Sequence, residues 1–223
     1  MPKIRKMGVK ELFEEKGRVK DCLLYLSEKD PNLEIINGLR PNKRILSLGC
    51  GGGREIKELV TRGHDVVAVD IAENMIVSSK KVEPHAKYYC MDAVKFARIN
   101  KDKMKFDYIL GLYAFLGYID NPFRKELIEN LMCMLKEGGM LILELRRFTE
   151  SPKYVFKALI APVFALYFRE NWKIGDVYGR NAHDLRAGWH KGHHFTDSEL
   201  KKLFKNYTLK IDYNKVYVKH KQF

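Results

Sequence analysis

Three glycines and an aspartate within residues 44–70 are the residues best suited to chemistry. Gly49, Gly51 and Gly53 follow the mostly apolar run Ile45–Leu48, and Asp70 follows the next apolar run. Because glycine lacks a Cβ atom, the backbone at these positions can approach a ligand closely. The free amide groups of a helix that follows such a loop face the same ligand. The pattern predicts a strand, glycine loop, helix and strand that bind a nucleoside, with the Asp70 carboxylate accepting the ribose hydroxyls.

The spacing of the glycines distinguishes between two kinds of nucleoside site. A dinucleotide fingerprint reads G-x-G-x-x-G, and its third glycine packs the helix on the strand. Here Arg54 stands at that third position, and the glycines read G-x-G-x-G. This arrangement resembles motif I of the class I S-adenosylmethionine-dependent methyltransferases, which typically reads L-D-L-G-C-G-x-G.

Four later segments resemble the same family in the same order. Val69–Ile76 is similar to the family's V-D-I-S-x-x-M-I segment, and Tyr89–Ala93 is similar to the segment that contacts adenine. Phe106–Leu110 resembles the fourth strand, and Leu135–Leu143 resembles the L-K-P-G-G-x-L-I-L segment that leads into the fifth. The resemblance is strong over residues 44–145 and weaker at the C-terminal end.

The resemblance implies S-adenosyl-L-methionine as the cofactor and assigns its contacts. The glycine loop lines the methionine end, Asp70 holds the ribose, and Asp92 accepts a hydrogen bond from the adenine amino group. Ser47 stands where the family usually has an acidic residue that helps to place the cofactor's ammonium group. Either another residue takes that role or binding is weakened. The residues assigned to the cofactor are Ser47, Gly49, Cys50, Gly51, Gly53, Asp70, Ile71, Met75, Met91, Asp92, Ala93 and Leu112.

Methyl transfer from a sulfonium is an in-line displacement that needs no metal and no covalent intermediate. Orientation alone can contribute about 7–11 kcal/mol, and a general base adds about 10²–10⁴-fold for a hydroxyl or amine acceptor. The histidine cluster His190, His193 and His194 supplies the candidate bases, of which His193 and His194 precede the last predicted helix. Tyr113 and Tyr118 are second choices. The cluster, on a predicted loop, does not have the spacing of a zinc site, so no metal is predicted. A purely structural role for these histidines is equally compatible with the sequence.

Positive charge is concentrated outside the predicted cofactor core. The 223-residue chain has a net charge of +13. Residues 1–44 contain 11 basic and 7 acidic residues and residues 151–223 contain 14 and 6, whereas residues 45–150 contain 16 and 15. Such flanks favour an anionic partner such as RNA, a phospholipid surface or a phosphorylated small molecule. A lysine-rich solvated surface would have the same composition.

The remaining bulk properties predict a cytoplasmic protein. No apolar run reaches the roughly 18 residues of a transmembrane segment, and Met1–Lys6 lacks the apolar stretch of a signal peptide. The four cysteines are widely spaced, which suits a reducing compartment. The oligomeric state is not indicated by any pattern.

Two segments outside the core bear on the substrate side. Apolar residues at helical spacing predict a helix within residues 7–28, which covers the cofactor cleft in the family resembled or, more simply, packs on the sheet. Residues 154–168 contain one charged residue. They predict a buried helical cap over the acceptor pocket, which we favour, or a segment lying in a lipid interface.

Two pairs of polar residues further along the chain are also candidates for local roles. Asp184 and Arg186 could fix an acceptor. Thr196 and Glu199 predict a capping box at the start of the last helix.

These elements predict an α/β protein with a Rossmann-like, seven-stranded, mostly parallel sheet, a terminal antiparallel hairpin and helices on both faces. A single methyltransferase domain is expected over residues 1–223. It comprises an N-terminal helical cap and linker (1–43), a cofactor-binding core (44–148), a substrate-side insertion (149–193), and the last helix with the terminal hairpin (194–223).

Three functional hypotheses remain open at this stage. The first is a methyltransferase acting on a small-molecule or lipid-like acceptor, supported by the minimal core and the apolar segment. The second is a tRNA or RNA methyltransferase, supported by the basic flanks. The third is a regulator that binds S-adenosylmethionine without catalysis, for which the replacement at Ser47 is the only support.

Overall fold

The computed structural model describes residues 6–14, 32–148, 152–180 and 189–221, with the backbone alone at 152–154 and 180. Within these ranges, seven strands form the main sheet in the order β3-β2-β1-β4-β5-β9-β8. Strands β1 to β5 are parallel, and the terminal hairpin β8–β9 joins antiparallel to β5. The predicted sheet is confirmed. Its strands are β1 (Arg44–Leu48), β2 (Asp65–Asp70), β3 (Lys87–Cys90), β4 (Phe106–Gly111), β5 (Leu135–Glu144), β8 (Thr208–Asp212) and β9 (Lys215–Lys219).

Both faces of this sheet are covered by helices, as predicted. The apolar runs of the central strands are buried on both faces, which is the usual condition of a parallel sheet. The helices are α1 (Val9–Glu14), α2 (Leu33–Asn37), α3 (Arg54–Thr61), α4 (Glu73–Val82), α5 (Ala93–Asn100), α6 (Asn121–Cys133), α7 (Pro152–Phe168) and α8 (Asp197–Leu203). Of the N-terminal helix predicted within residues 7–28, the structure describes α1, and residues 15–31 lie outside the described part.

The strands place their carboxyl ends together at one edge. Leu48, Asp70 and Gly111 end three neighbouring strands, and the glycine loop, α4 and a 3₁₀ turn (Phe115–Tyr118) follow them directly. In open α/β sheets, ligands bind at this edge where the strand order reverses, which here lies between β1 and β4. The fold therefore brings together the residues that the sequence singled out.

The segment after β5 contains a second, two-stranded sheet that the sequence analysis did not predict. Helix α7 is followed by β6 (Asp176–Arg180) and β7 (Trp189–His193), which pair antiparallel. The prediction that the histidine cluster lies on a loop was therefore wrong for His190 and His193, which are in β7. Strand β7 reads Trp-His-Lys-Gly-His, and glycine and lysine are depleted in strands. The strand is therefore stabilised by its hydrogen bonds to β6 and could not be predicted from local propensity.

The predicted capping box at α8 is formed only in its first half. The Thr196 hydroxyl accepts a hydrogen bond from the Glu199 amide at 3.2 Å. The Glu199 carboxylate contacts His193 Nε2, with both oxygens at 2.9 Å. A buried imidazole is a stronger attraction for this carboxylate than a backbone amide at a helix start.

Gly53 offers a test of the close packing between α3 and α4. Its φ is +90°, and a Cβ atom there would lie 2.5 Å from Ser79 Oγ and 2.9 Å from Ser79 Cα. We expect Gly53→Ala to lower the free energy of unfolding in urea by about 1–3 kcal/mol. Gly138→Ala is the matched control, because Gly138 also has a positive φ (+71°) but nothing within 4 Å of its Cβ position. Equal losses for the two variants would show that backbone strain, and not the contact with α4, sets the requirement for glycine.

Candidate active site

Asp70 connects the glycine loop to the end of β2. Its Oδ2 accepts a hydrogen bond from the Gly51 amide and its Oδ1 from the Ala72 amide, both at 2.9 Å. The loop is held further by the amides of Gly49 and Cys50, which donate to the Val69 carbonyl at 2.8 and 3.2 Å. The carboxylate thus fixes the conformation of the loop before any ligand arrives.

The Asp70 carboxylate is nearly buried yet lines an open cleft. Burial raises its pKa, and hydrogen bonds from the amides of Ala72, Gly51 and Ile71 oppose that rise. Each carboxylate oxygen has two lone pairs, so both oxygens can accept a further hydrogen bond from a ligand. A pair of neighbouring hydroxyls, such as those of a ribose, matches this acceptor pair.

The cleft above Asp70 has a volume of about 950 Å³, near the upper end of the range of roughly 300–1,000 Å³ for small-molecule sites. Most of the residues assigned to the cofactor line it: Gly49, Cys50, Gly51, Asp70, Ile71, Met91, Asp92, Ala93 and Leu112. Ser47, Gly53 and Met75 are buried outside the cleft lining. Asp92 is exposed, and its Oδ1 also caps α5 by accepting from the Lys95 amide at 2.9 Å.

Glu55 is a cleft residue that the sequence analysis missed. Its side chain is 3% exposed, it lines the cleft, and its Oε1 accepts a hydrogen bond from Ser47 Oγ at 2.7 Å. A carboxylate from the first turn of α3 therefore stands next to the position where the resembled family has an acidic residue on the strand. The signal that could have identified it is its position on the apolar side of the helix, since Glu55 is followed directly by Ile56 and, one turn later, by Leu59.

Helix α1 forms part of the opposite wall of the cleft. Gly8, Val9, Lys10 and Phe13 line it, and the Phe13 ring meets the Tyr118 ring edge to face at 5.3 Å between centroids. The helix is held at both ends. The Met7 amide donates to the Trp189 carbonyl at 2.8 Å, and the Glu14 carboxylate accepts from the Glu73 amide at 2.8 Å.

Tyr113 and Ala114 have an unusual backbone where β4 meets the cleft. Both lie in the left-handed region, with φ of 53° and 61°, a conformation that costs on the order of 1–3 kcal/mol per non-glycine residue. The Ala114 amide donates to Glu144 Oε2 at 2.7 Å, and the Arg54 guanidinium lies 4.5 Å from the centroid of the Tyr113 ring. These contacts hold the Tyr113 side chain at the cleft wall, next to the glycine loop.

A smaller chamber adjoins the cleft. It has a volume of about 60 Å³ and shares Tyr118 and Arg146 with the cleft lining. The other residues around it are Ala114, Gly117, Lys157, Val177, Tyr178, Gly179, His190, Gly192, His193 and His194. The part of the chain that the structure describes contributes no acidic side chain to this lining, so the chamber favours a neutral or anionic group.

His193 and His194 both border this inner chamber but have different surroundings. His193 is buried with Nδ1 at 2.7 Å from Asp176 Oδ1 and Nε2 at 2.9 Å from the Glu199 carboxylate. Burial acts to raise the pKa of Asp176, but hydrogen bonds from His193 and Lys191 hold it below its usual value. Since both nitrogens of His193 face carboxylates, this geometry suits a side chain that positions its neighbours. Asp184 and Arg186, the other candidates for fixing an acceptor, lie outside the described residues.

His194 is buried among positive charges. Burial, with Arg146, His193 and Lys157 as further causes, lowers its pKa to about 4. Its imidazole is therefore neutral at physiological pH. A neutral ring in the wall of the chamber has the form that a proton acceptor requires.

The lowered pKa of His194 predicts a pH-dependent stability. The unfolded chain binds a proton on this residue near pH 6.5, and the folded chain only near pH 4. The contribution of the neutral ring is thus present above pH 6.5 and is lost as the pH falls toward 4. This amounts to roughly 2–3 kcal/mol. We expect His194→Gln to reduce the loss of unfolding free energy in urea between pH 7 and pH 4.5. An unchanged pH dependence in the variant would contradict this assignment.

Comparison with known proteins agrees with the methyltransferase-like fold that the sequence predicts. Residues 45–139 match the family model of a methyltransferase domain, and no protein of curated function matches the sequence. Among solved structures, a SAM-dependent methyltransferase from Methanosarcina mazei is 20% identical with a TM-score of 0.66, over 88% of this chain and 100% of that chain. No described helix is long and apolar enough to cross a membrane.

Two further structural neighbours are similar over their whole length. DesVI from Streptomyces venezuelae is 16% identical, with a TM-score of 0.64, over 93% of this chain and 99% of that chain. CalS10 from Micromonospora echinaspora, an amino pentose methyltransferase solved with SAM bound, is 14% identical, with a TM-score of 0.62, over 91% and 97% of the two chains. At these identities the similarity shows a shared fold.

Proposed function

We propose that this chain, whose residues 45–139 match a methyltransferase domain, is a class I S-adenosylmethionine-dependent methyltransferase that transfers the methyl group of S-adenosyl-L-methionine to a small-molecule or lipid-like acceptor. The observation that carries this proposal is the pair of adjoining cavities. A cleft of cofactor size and a small chamber share Tyr118 and Arg146. The acceptor group enters the chamber and meets the methyl carbon at the shared wall.

The residues of the cleft fit the parts of S-adenosylmethionine. Asp70 accepts the ribose hydroxyls, Ile71 and Met91 pack against adenine, and Asp92 accepts from the adenine amino group. Glu55 takes the role that Ser47 cannot and binds the ammonium group of the methionine moiety. This is supported by the burial of Glu55 and by its hydrogen bond from Ser47. Cys50 is buried, and burial raises the pKa of its thiol well above the usual value, so it acts as a small apolar residue and not as a nucleophile.

The reaction is a single displacement. A lone pair of the acceptor oxygen or nitrogen forms a bond to the methyl carbon as the carbon–sulfur bond breaks, leaving S-adenosylhomocysteine. The proton released by the acceptor passes to the neutral imidazole of His194. His193, held between Asp176 and Glu199, positions the strand end that presents His194. Tyr113 closes the cleft beside the glycine loop.

The chamber supports an acceptor that carries no positive charge. Arg146 and Lys157 line it together with the three histidines, and two cations in a confined space favour a neutral or anionic partner. Its volume of about 60 Å³ admits a functional group and not a whole molecule. The rest of the acceptor therefore lies along the larger cleft or outside it.

RNA is the alternative acceptor, favoured by the excess of basic residues on both flanks. A polynucleotide contact would show a steep dependence on salt, because binding releases counterions from the phosphates. The regulator hypothesis rested on the Ser47 replacement, and a methyltransferase domain with Glu55 beside Ser47 supports catalysis instead.

The proposal is tested by incubating the protein with methyl-tritiated S-adenosylmethionine and a cell extract separated into RNA, protein, lipid and small-molecule fractions. We expect label in the lipid or small-molecule fraction, and its loss in the His194→Gln variant. Label in RNA that nuclease releases, with salt-dependent binding, would replace the proposal with the RNA alternative. A bound cofactor with no transfer to any fraction would contradict the proposed class of acceptor.

A further inference from the structure

Helix α7 exposes an unusually large apolar face. Five of its side chains are more than half exposed: Phe156, Leu159, Val163, Leu166 and Tyr167. Leu159, Val163 and Leu166 are exposed by 72, 69 and 81%. Trp172 and Ile174 continue the surface beyond the helix. Large contiguous apolar patches are rare on the surface of monomeric proteins and mark sites of contact. We call these seven residues the α7 face.

The other side of the helix is anchored to the protein by small residues. Ala158, Ala161 and Ala165 are buried, and helix α7 lies against β6. Phe164 and Phe168 stack with Tyr178 at 5.6 and 5.8 Å between ring centroids. The helix thus buries its alanines and presents its large aliphatic side chains outward, which is the reverse of the usual pattern. The exposed face is a fixed feature of a packed helix.

Among the described residues, the exposed charged side chains that follow helix α7 are basic. Residues 152–168 include no acidic residue, and Arg169 and Lys173 lie one and five residues beyond the helix end. Glu170, the first acidic residue after the helix, is turned toward the protein, where it pairs with Lys6 and accepts a hydrogen bond from Tyr178 Oη at 2.9 Å. An apolar strip next to exposed basic side chains complements a surface that combines hydrocarbon with negative charge.

We propose that the α7 face docks on the surface of a bilayer containing anionic lipids, with the helix lying in the interface. The aliphatic side chains enter the boundary between headgroups and acyl chains, Tyr167 and Trp172 lie at headgroup depth, and Arg169 and Lys173 contact lipid phosphates. A second copy of the chain is a poorer occupant, because two identical basic surfaces would face each other. This inference goes beyond the proposed function and does not depend on it.

The docking is tested by co-sedimentation of the protein with large vesicles, using phosphatidylcholine alone and phosphatidylcholine with phosphatidylglycerol. We expect binding to the anionic vesicles, weak binding to the neutral ones, and about a fivefold loss of affinity for Lys173→Gln. Failure to bind anionic vesicles, or equal binding to both kinds, would overturn the proposal.

Single charge insertions separate the docking from other uses of the same face. Leu159→Glu and Leu166→Glu should each weaken vesicle binding on the order of tenfold or more while cofactor affinity stays unchanged. Ile99→Glu is the matched control, since Ile99 is 43% exposed on α5 and lies outside the α7 face. Two results would overturn the proposal: a dimer in light scattering that Leu159→Glu dissociates, or a large fall in the melting temperature of that variant. The first would assign the face to a second copy, and the second would show it packed within the protein.

Discussion

Asp70→Asn is expected to weaken binding of S-adenosylmethionine by about 10²–10³-fold, measured by calorimetry. The carboxylate of Asp70 accepts from two amides and lines the cleft. An amide in its place has one oxygen and one NH₂ group, so one backbone NH faces a donor and one ribose hydroxyl loses its acceptor. Loop geometry and ligand contact fail together, which is why the effect is large.

A dideoxy ligand tests whether the loss arises at the ribose. Wild-type protein should bind 2′,3′-dideoxyadenosine much more weakly than adenosine, whereas Asp70→Asn should discriminate less between the two. Asp65→Asn is the control, because Asp65 begins the same strand and is exposed to solvent. If the variant retained full discrimination between the two nucleosides, Asp70 would not contact the ribose.

Glu55→Gln is expected to weaken S-adenosylmethionine binding by about 10–100-fold, because a buried carboxylate that pairs with an ammonium group is replaced by a neutral amide. The substitution keeps an oxygen able to accept from Ser47 Oγ, so the fold should be unaffected. The informative ligand is adenosine, which has no amino acid part. Its affinity should remain the same in the variant.

Glu58→Gln provides the control for the Glu55 experiment. Glu58 lies one turn further along α3, at the surface, where it pairs with Arg62 at 2.7 Å. Its replacement should leave both affinities unchanged. If Glu55→Gln weakened adenosine as much as S-adenosylmethionine, the carboxylate would act by supporting the loop and not by binding the ammonium group.

The sheet could be predicted because its information is local. The run Val66–Val69 is apolar over its whole length, and Ile45–Leu48 is apolar except at Ser47. Such runs are typical of strands that are buried on both faces. Glycines after the first run and Asp70 after the second then mark the carboxyl edge. Thr196 identified the start of α8 through its hydroxyl. The segment Leu135–Leu143 was expected to lead into the fifth strand, whereas β5 itself begins at Leu135, because Leu135 pairs with Phe106 before a shift of register that precedes the pair Tyr108 and Met140.

The site residues that could be predicted are those that belong to a short sequence pattern with a single common function. The contacts of Gly51 and Asp70 follow from a short pattern, and both line the cleft. Glu55 is different, because a glutamate in the first turn of a helix is ordinarily a favourable surface charge near the helix dipole. Its burial depends on the packing of α3 against the sheet. Likewise His193 acquires its partners from Asp176 and Glu199, which come from β6 and α8.

The two cavities are encoded by different stretches of the chain. Most of the residues that line the small chamber lie within residues 157–194, whereas the cleft above Asp70 is lined largely by residues 49–146. Mutations that reshape the chamber need not disturb the cleft at the sheet edge, because Tyr118 and Arg146 are the described residues that line both. Substitutions within residues 157–194 could therefore change the acceptor during evolution while the binding of the methyl donor is retained.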